Sequence, residues 1–75
     1  MRQIPVGVLA QFDSAGETHP ISITWEDGRV YPIESVLELR PARSSPTRFR
    51  YTVMIYGQET YLYRTGDQWH MDVFN

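Results

Sequence analysis

The sequence predicts an all-β fold: a small antiparallel six-strand meander curled into an SH3-like or OB-like barrel or half-barrel. Apolar and aromatic residues recur at every second position between Pro5 and Phe74, the period of a strand with one buried face. Clusters of turn-forming residues divide these runs: Asp13-Ser-Ala-Gly16, Glu26-Asp-Gly-Arg29, Tyr56-Gly-Gln-Glu59 and Thr65-Gly-Asp-Gln68. With 75 residues, the chain has apolar material for one core and one domain, residues 1–75.

The first strand spans about Ile4 to Phe12, with Ile4, Val6, Val8, Ala10 and Phe12 on one face and Pro5 near its start, where a missing N–H is tolerated. The second runs from about His19 to Glu26, with Ile21, Ile23 and Trp25 alternating against Ser22, Thr24 and Glu26. Asp27-Gly28 is the strongest local signal, predicting a two-residue type I′ hairpin that pairs the flanking strands directly. Tyr31 to Arg40 fits a strand with a bulge or bend near Glu34-Ser35 better than the short helical turn that Pro32 and Pro41 would bracket. Residues 41–47 hold two prolines and two serines and are expected to form an exposed, mobile loop. Strand four, about Arg48 to Tyr56, alternates most cleanly, with Phe49, Tyr51, Val53 and Ile55 opposite Arg48, Arg50, Thr52, Met54 and Tyr56. Gly57 returns the chain into a fifth strand, which sets Thr60, Leu62 and Arg64 opposite Glu59, Tyr61 and Tyr63; Trp69, Met71 and Val73 make the sixth.

The hydrophobic share, 41%, is too high for a disordered chain. Cysteine is absent, so neither a disulfide nor a thiolate metal site can stabilise so small a core, and self-association as a homodimer is expected to help. No apolar run approaches the length of a membrane span and no secretion signal is evident, so the expected setting is cytoplasmic, without a membrane partner. Net charge is −2, but unevenly distributed. Residues 40–64 carry Arg40, Arg43, Arg48, Arg50 and Arg64 against Glu59 alone. All seven basic residues are arginine, which suits bidentate pairing and ring stacking but is better explained by genomic base composition.

Catalytic chemistry finds no support. His70 and Asp72 share a strand face, but a catalytic zinc site needs a third protein ligand, which only His19 or an acid brought in by the fold could supply. Glu26 and Asp27 sit in a solvated turn, no serine has a nucleophile-elbow context, and the glycines stand singly at turns rather than in a phosphate-binding loop. No enzyme activity, cofactor or metal is expected.

One feature exceeds this background: Arg48, Arg50, Tyr56, Tyr61, Tyr63 and Arg64, a candidate binding surface on strands four and five. Arginine and tyrosine are enriched in protein interfaces, so a protein partner or a second copy ranks first. Single-stranded nucleic acid, held by cations on phosphates and rings on bases, ranks second, because net charge and the absence of lysine argue against it. A proline-rich peptide in an aromatic groove is the third reading, and rings that simply fill a curled sheet are the bland one.

The stretch Thr24-Trp-Glu-Asp-Gly-Arg-Val-Tyr-Pro-Ile-Glu-Ser-Val-Leu37, followed by Tyr61-Leu-Tyr-Arg-Thr-Gly-Asp-Gln-Trp-His-Met-Asp-Val-Phe-Asn75, resembles a class of short bacterial all-β proteins of unknown function. Similar segments are appended to some bacterial error-prone DNA polymerase-related proteins. The resemblance implies an uncharacterised bacterial β domain, lends slight support to nucleic acid, and supplies no site residue. The expected role is therefore a non-catalytic interaction module, protein-binding or self-associating.

Overall fold

The computed structural model describes residues 2–43 and 47–73. Seven antiparallel strands make up the fold: β1 (Arg2–Phe12), β2 (Thr18–Thr24), β3 (Val30–Pro32), β4 (Ser35–Pro41), β5 (Arg48–Ile55), β6 (Gln58–Thr65) and β7 (Gln68–Val73). They form one sheet in the order β3-β2-β1-β7-β6-β5-β4. Among the described residues no helix is long and apolar enough to cross a membrane.

That order forces the sheet to curl. β3 and β4 lie at its two edges, yet only Ile33 and Glu34 separate them in the chain. Seven strands laid flat would hold the edges about 29 Å apart, whereas this link reaches about 10 Å. The sheet closes into a half-barrel, and β1 makes the corner. Arg2–Val6 pair with β7, and Gly7–Phe12 pair with β2. Gly7 sits at the handover, where an added Cβ would lie 3.4 Å from Thr24 Cβ.

The observed count is seven strands rather than six. The Tyr31–Arg40 segment does not run on as one bent strand. It breaks at Ile33-Glu34, donates Ile33 N–H back to Ile21 and Glu34 N–H across to Met54, and so begins a new edge. A register shift between Val36 and Glu38 places a bulge three residues beyond that break. Pro41 belongs to the end of β4, and residues 44–46 of the expected 41–47 loop lie outside the described residues.

Asp27-Gly28 does pair β2 with β3, but through a longer loop than a two-residue type I′ hairpin. Gly28 N–H closes onto Trp25 C=O and Trp25 N–H onto Arg29 C=O, and of the two central residues only Gly28 has positive φ. The two-residue turn with both φ positive occurs instead at Tyr56-Gly57, with φ of 50° and 72°, between the paired Ile55 and Gln58. A tyrosine in the left-handed region costs roughly 1–2 kcal/mol, so this turn is held by its surroundings.

The core lies inside the curl. Ile23, Tyr51, Val53, Leu62 and Met71 are buried together, flanked by Val6, Val8, Trp25, Tyr31, Phe49, Ile55 and Trp69. The strict alternation of β5 turns Phe49, Tyr51, Val53 and Ile55 inward, and Tyr51 and Val53, the fully buried pair, each contribute about 1.5–3 kcal/mol.

Candidate interaction surface

The same alternation turns Arg48, Arg50, Thr52 and Met54 outward on β5, and Tyr61 and Tyr63 outward on β6. Register then builds a row across the convex face: Arg40 opposite Arg50, Arg50 opposite Tyr63, Tyr63 opposite His70, His70 opposite Pro5. Two arginines directly opposite would repel. Glu38 relieves this by pairing with both, Oε2 to Arg40 Nε at 3.0 Å and Oε1 to Arg50 Nη2 at 3.3 Å.

Rings and guanidinium groups interleave along the row. Arg50 lies over Tyr61 at 4.6 Å and Arg48 over Tyr63 at 4.4 Å. Tyr63 stacks on His70 with centroids 5.3 Å apart and planes 11° from parallel. Arg48 Nη2 hydrogen-bonds His70 Nε2 at 2.7 Å. A guanidinium only donates, so Nε2 accepts and the His70 ring is neutral with its proton on Nδ1. Burial lowers the His70 pKa, the Arg48 charge lowers it further, and the Asp72 charge opposes both. Under this layer Thr52, cross-strand from Glu38 and Tyr61, is only 5% exposed although it points outward.

A groove of about 490 Å³ opens at the Arg48 end, lined by Arg40, Arg43, Arg48, Arg50, Tyr63 and Asp72 along with Pro41 and Ala42. Four guanidinium groups therefore line it with the Asp72 carboxylate, two of them, Arg40 and Arg50, already paired with Glu38. The Nε atoms of Arg48 and Arg50 and Oδ1 of Asp72 are buried and have no hydrogen-bond partner among the described residues.

Of the six residues expected at the surface, the structure brings together four: Arg48, Arg50, Tyr61 and Tyr63. Arg64 is on the opposite face, cross-strand from Phe49 and Trp69, with its guanidinium 5.7 and 5.8 Å from their rings and Nη1 donating to Thr18 Oγ1 at 3.3 Å. Burial raises the Tyr51 pKa, and the Arg64 charge and hydrogen bond offset part of that rise. Tyr56, 69% exposed, belongs to the β5–β6 turn and packs edge-on against Tyr31 at 5.7 Å. With Ile23, Trp25, Tyr31, Ile55 and Met71 it lines a separate apolar recess of about 270 Å³. Arg40, Arg43 and Asp72 line the groove as well; the arginine-rich stretch 40–64 holds the first two, and only cross-strand register brings Asp72 to them.

The two histidines do not meet. His19 Nε2 lies 2.9 Å from Asp13 Oδ2, while Asp13 Oδ1 accepts the N–H groups of Ala15 and Glu17. The hydrogen bond from His19, followed by that from Glu17, lowers the Asp13 pKa. Asp13, Glu17 and His19 are exposed and could each offer one ligand atom to a cation, all within 4.8 Å of one another. The Asp27 carboxylate, as expected, serves its turn, accepting Arg29 N–H at 2.9 Å. Set beside known proteins, the chain matches no family model, no curated protein and no solved structure.

Proposed function

We propose that this chain is a non-catalytic interaction module that holds an acidic segment of a partner protein in the Arg40–Arg43–Arg48–Arg50 groove. The observation that carries the reading is the concentration of four guanidinium groups around one groove, against the Asp72 carboxylate that lines it and the Glu38 carboxylate paired with Arg40 and Arg50, in a chain whose net charge is −2. A local cationic groove on a mildly acidic molecule selects for a matching local charge, because a long polyanion would also meet the acids elsewhere on the surface. The rings beside the groove favour the same choice. Arg48 and His70, hydrogen-bonded to each other, lie against the same side of Tyr63, and Arg50 caps Tyr61, so one face of each ring is already taken by the chain's own side chains.

The test is fluorescence anisotropy with three labelled probes: an oligo-glutamate peptide, a single-stranded DNA of mixed sequence and a neutral proline-rich peptide. The acidic peptide is expected to bind, to weaken as salt rises, and to lose about tenfold or more in affinity with Arg43→Ala or Arg48→Ala, the scale of one charged hydrogen bond. Tighter binding of the DNA, with a preference among bases, would transfer the groove to nucleic acid. The recess formed by Trp25, Tyr31 and Tyr56 favours a second reading, a proline-rich peptide partner. That reading predicts binding insensitive to salt and abolished by Tyr56→Ala.

A further inference from the structure

Among the described residues, β4 has β5 on one side and no strand on the other. Ala42 N–H donates to Arg48 C=O at 2.7 Å, which makes Ala42 and Arg48 a hydrogen-bonded pair. Antiparallel pairs alternate, so in the continuous register Arg40 and Glu38 direct their backbone groups at Arg50 and Thr52, whereas Leu39 and Pro41 direct theirs to the open side. Pro41 has no N–H to lose there; Leu39 keeps both a donor and an acceptor on the free edge, as does Val36 opposite the non-hydrogen-bonded Val53, where a two-fold axis would set Glu34 against Glu38. The side chains around it are apolar and exposed: Val36 41%, Leu37 54% and Leu39 50%. A seven-residue edge of this kind is a template for another strand.

We infer that β4 pairs antiparallel with β4 of a second copy about a two-fold axis through Leu39, an interface that shares Arg40 with the groove and is tested without the groove's ligand. In this register the two Leu39 residues exchange N–H···O=C bonds, and Glu38 faces Arg40 of the second copy on both sides of the axis. The Glu38-Leu39-Arg40 triplet is thus its own complement. Centring the axis on Leu37 sets Glu38 against Val36, and centring it on Pro41 sets Arg40 against Ala42, so those registers form no opposite-charge pair. Centring it on Glu38 or Arg40 opposes like charges and uses backbone groups already given to β5. Charge complementarity together with backbone parity therefore selects one occupant and one register.

The experiment is sedimentation equilibrium from micromolar to millimolar protein, paired with amide exchange by NMR. The wild type is expected to dimerise reversibly, and the Leu39 amide to gain protection as concentration rises while the Arg40 amide is protected throughout. Arg40→Glu sets acid against acid twice and Glu38→Arg sets base against base twice, so each variant alone is expected to dissociate at least tenfold more readily. An equimolar mixture of the two restores the opposite-charge pairs and is expected to recover the dimer as a heterodimer. A wild type that stays monomeric at millimolar concentration, a Leu39 amide whose exchange ignores concentration, or folded variants that fail to recover on mixing would each overturn the proposal. If Glu38→Arg prevents folding by depriving Arg50 of its partner, the wild-type Leu39 exchange still decides.

Discussion

At the scale of single residues, His70 shows how a neighbour dictates a protonation state. Arg48 has no lone pair to offer, so the 2.7 Å contact exists only with a neutral imidazole, and protonation would set two cations against each other. Burial and the Arg48 charge accordingly depress the His70 pKa below its ordinary 6.5. The sign of the consequence follows from linkage. Above 6.5 the ring is neutral in both folded and unfolded chains; below it the unfolded chain takes up a proton that the folded chain resists, so stability falls as pH drops. Urea unfolding midpoints are expected to decline through this window in the wild type and to flatten in His70→Gln, whose amide can still accept from Arg48. The lowered Asp13 carboxyl acts in a separate window, its contribution being present above 3.8 and lost at more acid pH. Strand parity made Arg48, Arg50, Tyr61 and Tyr63 legible from sequence as one outward surface. The same parity sets Arg64 on the inner face, and proximity in the chain is no substitute for it. His70 reads beside Asp72 in the sequence, and its pairing with Arg48 and Tyr63 depends on register across strands.

At the scale of elements, the turns separate what sequence declares from what tertiary structure decides. Asp27-Gly28 marked a hairpin correctly, and its loop came out longer because Asp27 stays out of the left-handed region. The tight turn formed at Tyr56-Gly57, where the paired Ile55 and Gln58 leave two residues to reverse the chain. Glu34 supports that turn from another element, its Oε1 accepting Gly57 N–H at 3.1 Å. Because this bond joins the start of β4 to the β5–β6 turn, Glu34→Ala is expected to cost about 1 kcal/mol in urea unfolding and to speed exchange of the Gly57 amide selectively. The division of Tyr31–Arg40 into β3 and β4 was half legible. The bend near Glu34 could be placed, but the exchange of partners from β2 to β5 depends on how far the sheet has curled by then.

At the scale of the whole molecule, local pattern called for a small antiparallel β domain that curls, and the half-barrel follows it. The pairing that completes the curl, β7 with β1, has no local signature, since it joins Gln3 to Asp72 across nearly the whole chain. Everything else in the sheet is assembled from neighbours in sequence, β1 to β2 to β3 and β4 through β7. The final closure is therefore where chain entropy is concentrated, because two ends about 70 residues apart must be brought together before their ladder returns anything. A Gln3→Cys/Asp72→Cys disulfide would remove that search. In the chain-entropy model, oxidation is expected to add about 4 kcal/mol to stability, read as the difference in urea midpoint with and without reductant. Refolding measured by stopped flow should quicken in step if closure limits the rate. Until β7 reaches β1, both strands present open edges to other chains, so slow closure is also the interval in which this protein is most exposed to aggregation.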